Sequence, residues 1–213
     1  MKDLSYLSDA FPWMPFKWDI RRNDEMSGTG DGRVWQASLA PELWTATISH
    51  RPMPNSLAEE MDAKIRALRG ANDPFLMASS LFCNPKADPA GTLIAGANVT
   101  VTAVNADTRQ ISLGGLPANY RITAGDKLQI VYQQGGSTRY AFLEAVATKS
   151  AGAGGTLANL EVFPNVPAGV AAGAVVTLSR PAVKCVIVPG THTVGQVNGR
   201  LTSGGSFQVI QKK

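Results

Sequence analysis

Short apolar runs separated by glycine-rich breaks dominate the second half of the chain. Between residues 121 and 188, strand-length segments rich in β-branched and aromatic residues alternate with turn residues at regular intervals. This pattern predicts a meandering antiparallel sheet or a small barrel. Ala124-Gly125-Asp126 fits a tight turn, because glycine accepts a positive φ and aspartate can hydrogen-bond its own backbone. The predicted strands cover residues 128–132, 140–147, 157–163, 174–178 and 184–188.

Residues 55–69 have the 3.6-residue periodicity of an amphipathic helix, which we expect to lie over a sheet. Asn55 or Ser56 is the expected N-cap, since Ser56 and Glu59 have the spacing of a capping box. Gly70 is a natural helix end. The apolar face comprises Leu57, Met61, Ile65 and Leu68.

The N-terminal third has weaker signals. Prolines at positions 12 and 15 exclude regular helix, and residues 1–33 are expected to be irregular, with a loop at 27–33. Imperfect alternation predicts a pair of strands joined by Pro41-Glu42, in which Trp35 and Trp44 anchor the core. The two strands of this pair are residues 34–40 and 43–49. The other predicted extended segments are 75–82, a hairpin of 98–104 with 109–116, and a last strand near 206–211 that can return to the N-terminal sheet.

A shift in composition at residues 86–97 suggests a domain boundary, because charge thins out after it and Ala, Gly, Val and Thr dominate. The fold class predicted is mainly β, with two modules. Residues 1–85 plus 190–213 form an antiparallel barrel or sandwich module that carries the helix. Residues 86–189 form a second, small β-barrel-like domain, inserted into the first.

Charge is unevenly distributed along the chain. The net charge is +4, but residues 1–75 contain nine Lys and Arg against eleven Asp and Glu, and residues 76–213 contain eleven against five. The basic residues are scattered singly and form no run, so specific binding of nucleic acid is not expected.

The N-terminus lacks the apolar core of a signal peptide, and no run approaches the ~20 apolar residues of a membrane-spanning helix. The chain is therefore expected to be made in a reducing cytoplasm, without a membrane anchor. Cys83 and Cys185 lie far apart, and each is expected to be a reduced thiol rather than half of a bridge.

Known catalytic and metal-binding motifs are missing from the sequence. His50 and His192 have no acidic neighbour in sequence, and each is expected to be a surface or half-buried imidazole. No nucleophile elbow, CxxC or HExxH occurs. Asp24, Glu25 and Asp31 flank a glycine-rich loop that could hold Ca²⁺, with a solvated loop as the alternative. We expect no catalytic residue, no cofactor and no metal.

Trp13, Phe16 and Trp18 stand between prolines near the N-terminus. Exposed aromatic side chains in such a segment often dock on a partner, because they bury a large area at a low entropy cost. The alternative is that they pack into the core of their own domain. These three residues are the candidate interaction anchors.

Several turn and strand-end motifs occur in a familiar order. They are Leu68-Arg69-Gly70 after the helix, Ala124-Gly125-Asp126 before a strand, Phe163-Pro164-Asn165-Val166, Ala172-Gly173-Ala174, Val188-Pro189-Gly190 and Thr202-Ser203-Gly204. With these motifs the chain resembles distal tail proteins and minor tail proteins of long-tailed bacteriophages and related prophages. The resemblance covers most of residues 13–211.

The resemblance implies a structural virion protein that works without cofactor or catalysis. Its β-barrel or sandwich domain would form a ring, expected to be a hexamer, at the distal end of the tail tube. Its partners would be identical copies and the neighbouring tail tube and tail hub proteins. Its location would be the virion tail, after assembly in the host bacterial cytoplasm.

Two alternatives to a tail ring stay open at this point. One is a monomeric β module that binds a glycan or a receptor, and the other is a different head or tail connector or decoration protein. The clustered aromatics of a sugar site are missing from residues 98–188, where Tyr120, Tyr132 and Tyr140 are scattered.

Overall fold

The computed structural model describes residues 1–28, 30–79, 81 and 83–213. Thr29 of the predicted loop and Ser80 and Phe82 of the predicted segment 75–82 lie outside the described residues. The chain divides into two compact units. The barrel unit consists of Met1–Ala10, Phe75–Lys184 and Lys213, and the sheet unit consists of Phe11–Pro74 and Cys185–Lys212.

The described residues are mainly β, with one α-helix and antiparallel pairing between the strands of each sheet. The elements up to the barrel are β1 (Asp19–Gly28), β2 (Val34–Ser49), β3 (Met53–Pro54), α1 (Asn55–Ala67), a 3₁₀ turn (Gly70–Asn72) and β4 (Phe75–Ala78). The next are β5 (Thr100–Val104), β6 (Gln110–Gly114), β7 (Arg121–Ile122), β8 (Lys127–Gln134), β9 (Ser137–Ala145), β10 (Lys149–Ser150), β11 (Leu157–Phe163) and β12 (Val175–Thr177). The last are β13 (Ala182–Ile187), β14 (Gln196–Asn198), β15 (Leu201–Ser203) and β16 (Ser206–Gln211).

Six strands of the barrel unit close into a barrel in the order β11-β6-β5-β12-β8-β9, and β9 pairs with β11. The predicted small barrel is therefore confirmed, and so is the hairpin formed by β5 and β6. Alternating apolar residues of the strands fill the interior. Its fully buried members include Ile111, Leu113, Leu128, Ile130 and Leu160.

The turn before β8 has the predicted chemistry. Gly125 has a φ of +90°, and the Asp126 N–H donates to the Thr123 carbonyl at 2.9 Å. The buried Asp126 carboxylate accepts hydrogen bonds from the backbone N–H groups of Thr123 at 2.8 Å and Lys86 at 3.0 Å. This aspartate therefore fixes both its own turn and the segment that leads into the barrel.

The sheet unit contains an antiparallel sheet in the order β1-β2-β16-β13. Residues 185–187 of β13 pair with β16. The last strand pairs with β2 along residues 206–210, so its predicted return to the N-terminal sheet is confirmed. The strands β14, β15 and β3 form a second, small sheet.

The predicted strand pair 34–40 and 43–49 is wrong, because both segments belong to one continuous strand, β2. Its partner is β1, which includes residues expected to be irregular. Pro41 falls where the register shifts, between the pairs Asn23–Ala40 and Arg21–Leu43. A proline has no N–H to donate, so a bulge accommodates it without the loss of a regular ladder bond.

The predicted helix is confirmed, but its cap and its buried face differ from the prediction. No side chain caps its first turn, so the predicted capping box is wrong. The Asn55 amide instead donates to the Gly199 carbonyl at 3.0 Å and accepts from the Thr202 hydroxyl at 2.9 Å, which ties the helix start to the β14–β15 hairpin. Leu57 and Leu68 are only half-buried. The buried residues are Ala58, Met61, Asp62 and Ile65.

Candidate functional site

The strands β1 and β2 extend beyond their sheet as a two-stranded ribbon. We call residues 23–28 and 34–40, with their connection, the hairpin arm. Pairing continues along it from Asn23–Ala40 to Gly28–Val34, yet almost every residue of the arm is exposed. The arm is about 20 Å long at the usual rise per strand residue. Such a ribbon has no hydrophobic core of its own, because nearly all of its described residues are exposed, on both faces.

Both faces of the hairpin arm carry exposed apolar side chains. Met26 and Val34 lie on one face and Trp35 lies on the other, since side chains alternate along a strand, while Leu39 lies unpaired at the register shift between Ser38 and Ala40. Their exposed fractions are 68%, 60%, 66% and 62%. The expectation that Trp35 anchors the core is therefore wrong, whereas Trp44 is 1% exposed and does so. Exposed clusters of this kind mark interaction sites.

The arm also carries charge. Glu25 pairs with Ala37 across the ribbon and so shares a face with Trp35. On the face of Met26 and Val34, the Gln36 amide donates to the Asp24 carboxylate at 2.8 Å. Near the tip, Arg33 lies 3.4 Å from Asp31. Residues 23–33 contain three acidic side chains and one arginine, so the outer arm is acidic.

The candidate anchors Trp13, Phe16 and Trp18 lie inside the sheet unit. Each ring is buried, with exposed fractions of 7%, 6% and 8%. Trp13 packs edge-on against Phe207, with ring centroids 5.5 Å apart, and Phe16 packs in the same way against Trp18. The burial favours the second of the two alternatives, in which these aromatics form part of their own core.

A cleft lies beside helix α1 in the sheet unit, and we call it the helix cleft. It has a volume of about 280 Å³. Residues at the end of the helix line one side, and the segment after β13 lines the other. The apolar lining consists of Ile65, Leu68, Ile187, Val188 and Pro189.

An aspartate and a histidine join the two walls of the helix cleft. The His192 Nε2–H donates to Asp62 Oδ1 at 3.0 Å, and Arg66 lies 3.6 Å from the other oxygen of Asp62. His192 is half-buried, as expected, but no local pattern predicts its acidic partner 130 residues away. The pair connects the helix to the chain after β13.

Two arginines present positive charge at the helix cleft. Arg66 and Arg69 are 63% and 79% exposed, whereas their partners Asp62 and Asp73 are 13% and 22% exposed. The hydrogen bond from Arg69 to Asp73, at 2.9 Å, raises the pKa of the guanidinium. The guanidinium groups are thus the exposed ends of two ion pairs whose carboxylate ends are mostly buried.

The other histidine has a structural role. His50 is buried, contrary to expectation. Its Nδ1–H donates to the Arg51 carbonyl at 2.8 Å, and its Nε2 accepts from the Gly205 N–H at 3.1 Å. This arrangement requires the proton on Nδ1, because a carbonyl oxygen can only accept. The ring thereby links the end of β2 to the turn before β16.

The remaining sites that the sequence suggested have structural contacts. Asp24 and Asp31 bond to Gln36 and Arg33, and across the described residues no three His, Cys, Asp or Glu side chains gather as a metal site would require. Cys83 and Cys185 form no disulfide, as expected, and burial raises the pKa of the Cys185 thiol.

The hairpin arm and the helix cleft are the features that sequence reasoning missed. The arm had one usable signal, an alternating apolar pattern in residues 34–39 next to the acidic residues 24, 25 and 31. The cleft had none, because its walls come from segments more than 100 residues apart.

Comparison with known proteins finds no matching family model and no significantly similar curated sequence. In the part of the chain that the structure describes, no helix combines the length and the apolar character needed to cross a membrane.

Proposed function

We propose that this chain is a structural subunit of a phage tail tip, which forms a ring of identical copies at the distal end of the tail tube and joins the tube to the tip. The hairpin arm is the observation that carries the proposal. A two-stranded ribbon with exposed apolar side chains on both faces is marginal by itself in water and gains stability when another chain covers it.

Two further observations support this function. The chain is mainly β and contains a closed barrel, which is the architecture that the resemblance to tail-tip proteins implies. Three of its buried or half-buried polar side chains also have structural partners. Asp62, His192 and His50 all hold elements of the sheet unit together. The chain is therefore proposed to act through contact with other proteins and without a cofactor.

Electron microscopy of the purified chain tests the assembly. The proposal predicts closed rings of one size, with six copies as the expected number. Antibodies against the chain should then label phage particles at the distal end of the tail. Labelling of the head, or purified particles that lack the chain by mass spectrometry, would contradict the tail-tip assignment. Binding of a monomeric chain to glycans would favour the alternative of a receptor-binding module.

A further inference from the structure

We propose that the Trp35 side chain of one copy inserts into the helix cleft of the next copy, so that the hairpin arm and the cleft are the two halves of one interface. This inference rests on the proposed function, since it names the contact by which identical copies would associate. Within one chain Trp35 is 66% exposed and the cleft opens to solvent. The apolar surfaces of Trp35 and of the cleft therefore both remain in contact with water.

The size and lining of the helix cleft fit one large apolar side chain. Its volume of about 280 Å³ lies just below the range of about 300–1,000 Å³ that is usual for pockets that bind drug-sized ligands. Aliphatic side chains from the helix and from residues 187–189 line it. Tryptophan is among the side chains most often found as the dominant anchor of an interface, in a pocket that excludes water. Trp35 is the only exposed aromatic side chain among the exposed large hydrophobic residues of the described chain.

The charges around the two halves are complementary. The guanidinium groups of Arg66 and Arg69 are exposed. Glu25 lies on the Trp35 face of the arm, and the outer arm is acidic. A guanidinium can stack on the face of the indole and can also bond a carboxylate at two points. The exposed guanidinium of Arg66, which lines the cleft, would therefore contact Trp35 and Glu25 of the inserted arm.

The geometry of such a contact leads to a ring. The arm and the cleft are different surfaces, so each copy offers one and receives the other. Contacts of this head-to-tail kind form a closed ring when the rotation between copies closes, and an open filament when it does not. A contact of arm with arm would instead give a dimer and would leave the cleft unused.

Two variants with opposite defects test the interface. Trp35→Ala removes the inserted side chain and keeps the cleft, whereas Leu68→Arg fills the cleft and keeps the arm. Leu68 is half-buried, so a folded Leu68→Arg chain is expected, and Val188→Arg is a second cleft variant should that one fail to fold. Leu93→Arg, at an exposed position of the barrel unit, is the matched control. Circular dichroism establishes that each variant is folded.

Light scattering after size exclusion gives the result. Each defective variant alone should be monomeric, with association at least about 30-fold weaker than in the native chain, the loss typical of a dominant anchor. A mixture of the two should form a 1:1 heterodimer and nothing larger, because one intact arm then meets one intact cleft. The control should assemble like the native chain.

Three results would overturn the inference. Native-like assembly of both single variants would show that the ring forms through other surfaces, and the proposed function would stand. A mixture that stays monomeric would show that arm and cleft do not meet. A native chain that is monomeric at every concentration would contradict both the inference and the proposed ring.

Discussion

At the scale of single residues, the clearest anomaly is a phenol in the barrel core. Tyr120 is 4% exposed, and its hydroxyl contacts no hydrogen-bonding group in the described chain. Burial, with smaller contributions from Asp88 and Asp126, raises its pKa to about 12. Folding therefore holds the proton on this phenol at a pH where an unfolded tyrosine, with a pKa of about 10, would lose it.

This anomaly predicts a loss of stability in alkali. The stability due to neutral Tyr120 is complete below pH 10 and falls as the pH rises from about 10 to about 12, because the unfolded state then binds fewer protons. Tyr120→Phe should make the melting temperature less sensitive to pH between 9 and 11.5. Tyr140→Phe, at a half-buried phenol of β9, is the control. Parallel pH profiles for native chain and Tyr120→Phe would refute the assignment.

A second prediction concerns the glycine beside His50. A Cβ added to Gly205 would lie 2.5 Å from His50 Nε2 and 2.8 Å from its Cδ2. The imidazole is held by two hydrogen bonds and cannot move aside without losing them. Gly205→Ala should therefore lower the free energy of unfolding by about 1–3 kcal/mol. Gly28→Ala, where a Cβ meets nothing within 4 Å, should change it little. Equal denaturation midpoints for the two variants would disprove the clash.

At the scale of elements, sequence patterns predicted the parts that pack on a core. The barrel strands and the helix have a regular alternation because one side of each is buried. The partner of β2 was missed because its outer half lies in the hairpin arm, where no core imposes a pattern on β1. The helix face was predicted incompletely because hydropathy does not select Ala58, which is small, or Asp62, which is charged and bonded to His192.

The end of the helix gives a prediction that compares the stability cost of truncating Ile65 with that of truncating Leu68. Ile65 is 5% exposed, and truncation of a buried side chain leaves a cavity, so Ile65→Ala should cost about 2–5 kcal/mol of unfolding free energy. Leu68 follows the end of the helix in an extended conformation and is half-buried, so Leu68→Ala should cost less than about 1.5 kcal/mol. Urea denaturation measures both. A larger loss for Leu68→Ala would mean that the leucine belongs to the core.

At the scale of the whole molecule, the sequence indicated two modules, with boundaries near residues 86 and 190. Compactness divides the chain after residues 10, 74 and 184, with Lys213 again in the barrel unit. The division after residue 184 falls inside the apolar strand β13. Composition does not change there, so no local signal marks the place. The helix cleft was not predictable either, because its walls come from distant segments of the chain.

The barrel offers a test of this division. All six barrel strands and the whole buried cluster lie between residues 94 and 178. A fragment of residues 75–184 should therefore fold alone, with a cooperative thermal transition and dispersed amide resonances. A closed barrel also leaves no open sheet edge to aggregate. A fragment without tertiary structure would mean that the barrel depends on residues outside it.

The central claim is that the hairpin arm joins identical copies into a closed assembly, and the mass of the particle in solution tests it most directly. Replacement of residues 24–39 by Asn-Gly joins the paired residues Asn23 and Ala40 through a short turn and removes the outer arm. Light scattering should give a single mass that is a multiple of 22.5 kDa for the native chain, and one chain for the shortened variant. A native chain that stays at 22.5 kDa, or a shortened variant that assembles equally well, would contradict the claim.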